Sequence, residues 1–270
     1  MDEQSGHVGR TDKWDSSDAY EPYVGRWSRL VAREFLGWLA VPPGGRWLDV
    51  GCGTGALAQT ILAQAAPSKV VGVDPSPAYV AFARDRLTDP RVEFEVEDAQ
   101  ALQAAPATFD AVVCGLVLNF VPEPDRAVSE MARVARPGGT VAAYVWDYAE
   151  GMQMMRHFWD AAGELDPMAH ELDEGRRFPL CRPEPLSDLF RSTGLDKVEV
   201  RAIHVPTVFR DFEDYWSPFL GGQGPAPGYA MSLGPEQRAR LRERIRAGLP
   251  TNPQGEHHLV ARAWAVRGVR

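Results

Sequence analysis

Positive charge is in short supply in this chain: 29 Lys and Arg stand against 37 Asp and Glu, for a formal net charge of −8. Gripping nucleic acid requires a basic face that neutralises phosphates, so nucleic acid is not an expected partner. Cysteine is scarce as well. Cys52, Cys114 and Cys181 are odd in number and far apart, which gives neither a disulfide framework nor a metal-binding spacing. Their pattern fits a reducing compartment. Long hydrophobic runs are also missing. The most apolar stretch, Ala111 to Val121, contains Asn119 and is too short to span a bilayer. Met1 to Ser17 is polar and charged, unlike a signal peptide. The expectation is a cytoplasmic protein with no membrane partner and no bound metal.

What remains is ordinary globular composition, 270 residues with 44% apolar and 24% charged. That length holds one large α/β domain with a sizeable core. Residues 1–18, rich in Asp, Ser and Gly, read as a loose leader. Tyr23 to Ala40 carries Trp27, Leu30, Val31, Phe35, Trp38 and Leu39 near helical spacing and predicts a helix, stopped by Val41-Pro42-Pro43-Gly44-Gly45. Strands and helices then alternate. Strands are predicted over 46–50, 69–73, 92–96 and 140–145, with another inside 111–118. Helices are predicted over 56–65, 77–87 and 125–135, the last with Asp125 as N-cap and Arg136-Pro137-Gly138-Gly139 as its stop. This alternation predicts parallel βαβ units.

Residues 147–196 break the rhythm and read as a cap insertion. Residues 197–270 read as strands and a helix that complete the same sheet, with a Gly/Pro loop from Gly221 to Gly228. The arginines of 235–247 step by two around their helix axis, so they read as a solvated face. His257-His258 reads as an exposed pair.

The informative stretch is Leu48-Asp49-Val50-Gly51-Cys52-Gly53-Thr54-Gly55-Ala56, a buried strand running into a glycine-rich turn and a helix. Such a turn lets a ligand approach the backbone. As Gly51-x-Gly53-x-x-Ala56 it matches the dinucleotide fingerprint. As Asp49-x-Gly51-x-Gly53-x-Gly55 it resembles motif I of the class I S-adenosylmethionine-dependent methyltransferases. The glycines alone choose neither. Asp49 adjoins the turn, where a pyrophosphate gains nothing from a negative charge. Asp74, in Val73-Asp74-Pro75-Ser76, suits the hydroxyls of a ribose in either fold. Glu97-Asp98-Ala99 ends the next strand with an acid. The three aspartates thus recur about every 25 residues, one per βα unit, at one sheet edge.

Phe109-Asp110-Ala111-Val112-Val113-Cys114 and Ala135-Arg136-Pro137-Gly138-Gly139-Thr140 also resemble strand boundaries of that methyltransferase superfamily. The likeness covers about residues 23–146, with a looser match in the tail. It implies a Rossmann-like α/β fold, a seven-stranded sheet parallel except for its last strand. It also implies S-adenosylmethionine as cofactor and S-adenosylhomocysteine as product. The cofactor-binding residues it implies are Asp49, Gly51, Cys52, Gly53, Gly55, Asp74, Pro75, Ser76, Asp98 and Ala99, with Asp98 at the adenine amino group. Tyr20, Tyr23 and Arg26 would close the site, with Arg26 meeting the cofactor carboxylate; the other reading of this segment is a helix packing its aromatics on the core.

Asn119, Phe120, Trp146 and His157 are the candidates for an acceptor pocket. His157, His170 and His204 are conceivable bases, each read first as a surface or packing residue, and no catalytic base is identified. The aromatic residues of 147–190 and 208–230 suit a small apolar acceptor, methylated at oxygen, carbon or nitrogen. Quinone-like aromatics are among the acceptors the likeness suggests. The assembly is expected to be a monomer or homodimer. The alternatives are a nonenzymatic binder of the same cofactor and a NAD-dependent oxidoreductase.

Overall fold

The structure is a computed structural model that describes residues 25–222 and 224–270. The candidates Tyr20 and Tyr23 lie outside the described residues.

Helix α1 (Arg26–Leu39) buries Trp27, Val31, Phe35 and Leu39 on one face, the i, i+4 stripe of a helix lying on a core. Strand β1 (Arg46–Val50) is followed by α2 (Ala56–Gln64), β2 (Lys69–Asp74), α3 (Pro77–Arg86) and β3 (Val92–Val96). Then come β4 (Phe109–Gly115), a 3-10 turn at Leu118–Phe120, α4 (Pro124–Val134) and β5 (Ala135–Trp146). The sheet order is β3-β2-β1-β4-β5-β7-β6, where β6 is Asp196–Phe209 and β7 is His257–Val269. β7 pairs antiparallel with both β5 and β6, so it alone runs against the others. The expected topology is present.

Local departures have local causes. The helix after β4 is capped at Glu123, with no side-chain hydrogen bond, and Asp125 sits in its first turn. Proline at the first helical position moves the start back one residue, because its fixed φ already suits a helix. Arg136-Pro137-Gly138-Gly139 does not precede β5 but bulges within it: the register with β4 shifts between Phe109↔Ala135 and Ala111↔Thr140. Gly138 N–H donates to Arg270 O, and Gly139 O accepts from Arg270 N–H, so the bulge is paired on its far side. The expected Gly/Pro loop is half helical. Pro225 starts a helix there, again at its first position.

Between β5 and β6 lie α5 (Gln153–Leu165), α6 (Glu174–Arg177) and α7 (Pro183–Ser192). Between β6 and β7 lie α8 (Phe212–Trp216), α9 (Pro225–Ser232) and α10 (Pro235–Gly248). These two insertions pack on one another. Phe158 of α5 stacks on Phe219 at 4.5 Å, and Trp159 lies 5.7 Å from Tyr229 of α9. Phe158, Trp159, Phe219 and Tyr229 therefore pack on one another within the buried core instead of lining an opening, since ring edges and faces satisfy each other. His257 is 3% exposed while His258 is exposed. The pair begins a strand, and neighbours on a strand face opposite ways. Its Nδ1 donates to Pro250 O at 2.9 Å. Among the described residues no helix is long and apolar enough to cross a membrane.

Candidate active site

An open cleft of about 1000 Å³, counting its solvent-filled mouth, lies at the carboxyl ends of β1, β2, β4 and β5. Open α/β sheets place ligands there because strand ends and helix N-termini converge. Asp49, Gly51, Cys52, Gly53 and Asp74, expected from the sequence at the cofactor, all line it.

The turn after β1 has two kinds of glycine. Gly51 has φ +74°, and a Cβ there would sit 2.6 Å from Val117 Cγ1. Gly53 has φ +51°, and a Cβ there would meet nothing within 4 Å. The first is required by the fold. The second leaves open space against the backbone, the cradle a ligand fills.

Asp49 is 1% exposed, and neither of its oxygens makes a hydrogen bond of proper geometry. Burial pushes its carboxyl up to about 7; the nearby Ala58 N–H opposes this in part, and the charge of Asp74 adds to it. A buried acid without a partner, on the wall of a cleft, is suited to a cation that arrives with a ligand. Asp74 is better supplied. It accepts from Gly53 N–H at 3.0 Å through Oδ2 and from Ser76 N–H at 2.9 Å through Oδ1. Burial still raises its pKa, against those two bonds. The two N–H groups fix the carboxylate plane and leave its remaining lone pairs for hydroxyl donors. Ser76 is also the N-cap of α3, accepting from Tyr79 N–H at 3.4 Å.

Other predicted residues stand apart from the cleft lining. Asp98 is exposed, and Gln100 donates to it from both its backbone and its side chain. Ala99 is buried behind it. Arg26 turns away: its guanidinium pairs with Asp214 at 3.1 Å and stacks over Trp27 at 4.3 Å and Phe209 at 4.8 Å. His157, on α5, does not line the cleft, and burial lowers its pKa. Asn119 lies beside the lining residue Phe120, and its Nδ2 is buried without a partner. Trp146 and Phe120 do line the cleft.

Sequence reasoning missed Ser28, Tyr79, Tyr144 and Tyr148, which also line it. Tyr144 was within reach, because it shares a strand face with Trp146 two residues on. Among the described residues no group of His, Cys, Asp and Glu could hold a metal ion.

The sequence pattern of the methyltransferase-domain family matches residues 48–143, from β1 into β5. The chain is 29% identical over 238 residues to 2-methyl-6-phytyl-1,4-hydroquinone methyltransferase of Synechocystis sp., covering 79% of this chain and 73% of that one. It is 33% identical over 181 residues to demethylmenaquinone methyltransferase of Roseiflexus sp., covering 61% and 74%. The fold is also that of Haemonchus contortus phosphoethanolamine N-methyltransferase 2 in complex with S-adenosyl-L-methionine, at TM-score 0.56 and 18% identity, covering 94% of this chain and 56% of that one. The chain belongs to the class I S-adenosylmethionine-dependent methyltransferases.

Proposed function

We propose that the enzyme methylates a small, largely apolar acceptor, with the two ends of the cleft divided between cofactor and acceptor. The observation that carries this is the pairing of an orphaned, buried Asp49 with the open space over Gly53. Asp49 faces the ammonium of the cofactor, the Gly53 backbone passes close to it, and Asp74 accepts from its ribose hydroxyls. Cys52 lines the same wall, Gly55, Pro75, Ser76 and Ala99 support it from outside the lining, and Asp98 receives the adenine amino group at the rim. When bound, the sulfonium supplies a methyl group already activated for transfer.

The protein's own task is then alignment and exclusion of water. Phe120, Tyr144, Trp146 and Tyr148 form the acceptor end, an aromatic surface suited to a flat apolar ring. The relatives act by name on a phytyl hydroquinone and on demethylmenaquinone, which supports an apolar quinone-like acceptor here. All three cysteines are unpaired, in keeping with work in the cytoplasm.

Calorimetric titration of S-adenosylhomocysteine into wild type and Asp74→Ala tests the cofactor end. Saturable binding lost in a variant that melts like wild type supports the assignment. Unchanged affinity would sink it. Turnover against a panel of phenolic and quinol acceptors separates an enzyme from a binder that retained the fold.

A further inference from the structure

Three indole N–H groups among the described residues are buried with no hydrogen-bond acceptor: those of Trp27, Trp47 and Trp146. Of the three, only Trp146 lines the cleft. It is 2% exposed and sits at the last rung of β5, paired with Ala263 of β7. A buried donor left unpaired costs about 1–3 kcal/mol. On a cleft wall that deficit points to an acceptor atom brought by whatever the cleft takes up.

The neighbours narrow its chemistry. Phe120 and Tyr148 line the same cleft, and Phe178 braces both, edge-on to Phe120 at 5.1 Å and tilted to Tyr148 at 5.9 Å. No lysine, arginine or histidine among the described residues lines the cleft, and its two carboxylates, Asp49 and Asp74, belong to the cofactor end. The acceptor end therefore offers π surface and neutral polar groups, the Trp146 indole with the Tyr144 and Tyr148 hydroxyls, without a cation and without a carboxylate or imidazole base of its own.

We infer that Trp146 determines acceptor specificity by donating its indole N–H to the oxygen of a phenolic acceptor. This rests on the assignment of the cleft's two ends given above. A donor held at that oxygen stabilises a phenolate more than a phenol, so it lowers the acceptor's pKa where no base is present. The phenolic proton leaves to water before transfer. The phenolate oxygen then uses a lone pair to form the bond to the methyl carbon. The carbon–sulfur bond breaks and its electron pair stays on sulfur. An acceptor with only N–H donors or a cation at that point would leave the indole unpaired and is disfavoured.

The test uses the S-adenosylhomocysteine-loaded enzyme labelled with 15N at its indoles, with 1-naphthol and naphthalene as probes. The Trp146 indole proton, assigned by its absence in Trp146→Phe, should move downfield with 1-naphthol and stay in place with naphthalene. Should Trp146→Phe fail to fold, nuclear Overhauser contacts in wild type give the same assignment. W146F should bind 1-naphthol about fivefold to tenfold more weakly, with naphthalene unaffected. Bound 1-naphthol should ionise at lower pH in wild type than in W146F. An unmoved indole resonance, equal 1-naphthol affinity in the variant, or no saturable 1-naphthol binding each overturns the inference while leaving the cofactor end intact. Failure of S-adenosylhomocysteine to bind wild type overturns the cleft assignment itself.

Discussion

Burial of Asp49 with neither oxygen bonded sets stability against binding at one residue. Its carboxyl titrates near 7 in the folded chain and near 3.8 when exposed. Between those values the unfolded chain has released a proton that the folded chain still holds, so stability falls as pH rises from about 4 to 7 and is then level. At pH 8 the burial of this charge costs on the order of 4 kcal/mol in the cofactor-free protein. Asp49→Asn should therefore raise its melting temperature at pH 8 by several degrees, as seen by calorimetry, and should change it little at pH 4. The same variant should lose most of its affinity for S-adenosylhomocysteine. In wild type that affinity should weaken as pH drops below 7, because the carboxylate proposed to face the ammonium is then protonated; in the variant this dependence should vanish. Asp49 and Asp74 were legible in sequence as cleft residues because each lies at the carboxyl end of a central parallel strand, whereas Asp98, two residues past β3 at the sheet margin, stands outside the lining. Arg26 was not. Its guanidinium is taken by Asp214, 188 residues away, and no local pattern names a partner at that distance.

Within the β1–α2 turn, the two glycines predict opposite failures. Gly51→Ala drives a methyl group into Val117 and should lower stability by about 2–4 kcal/mol in urea melts, combining overpacking with a left-handed backbone. Gly53→Ala, with no neighbour within 4 Å, should cost only about 1 kcal/mol yet lose cofactor affinity at least tenfold. Equal effects of both changes on stability would refute the distinction. Element positions were largely legible, since 3.6- and 2-residue periods survive in any context. Their ends were less so: proline at first helical positions moved starts, and a four-residue bulge let β5 begin at Ala135. The cap was legible as aromatic but not as self-packed, because sequence shows which rings exist and not which ring each one meets.

At the scale of the whole molecule, the cap is tied to the sheet through buried charge. Arg262 of β7 pairs with Asp147, which is 2% exposed and just past the end of β5. Within the cap itself, Arg156 of α5 pairs with Asp173 ahead of α6, and Trp159 Nε1 donates to the buried Glu174. Arg262→Ala removes the ion-pair partner of the buried Asp147, and should destabilise the protein by about 3–5 kcal/mol in urea melts. The double change with Asp147→Asn should recover much of that loss. S-adenosylhomocysteine should raise the melting temperature of wild type in proportion to the logarithm of its concentration above Kd, and NADH should leave it unchanged.

The place of β7 between β5 and β6 also bears on the order in which the chain can fold as it is made. β6 leaves the ribosome before β7, yet β7 is its strand partner within the sheet. Until β7 emerges, β5 presents an unpaired edge and β6 has no strand to join. The β1–β5 half, with its glycine turn, can assemble on the nascent chain by short crossovers, while the cap helices wait. A pause in synthesis between 209 and 257 would therefore hold two open strand edges in one molecule. That interval is where a chaperone, or a neighbouring nascent chain, has its best opportunity to bind.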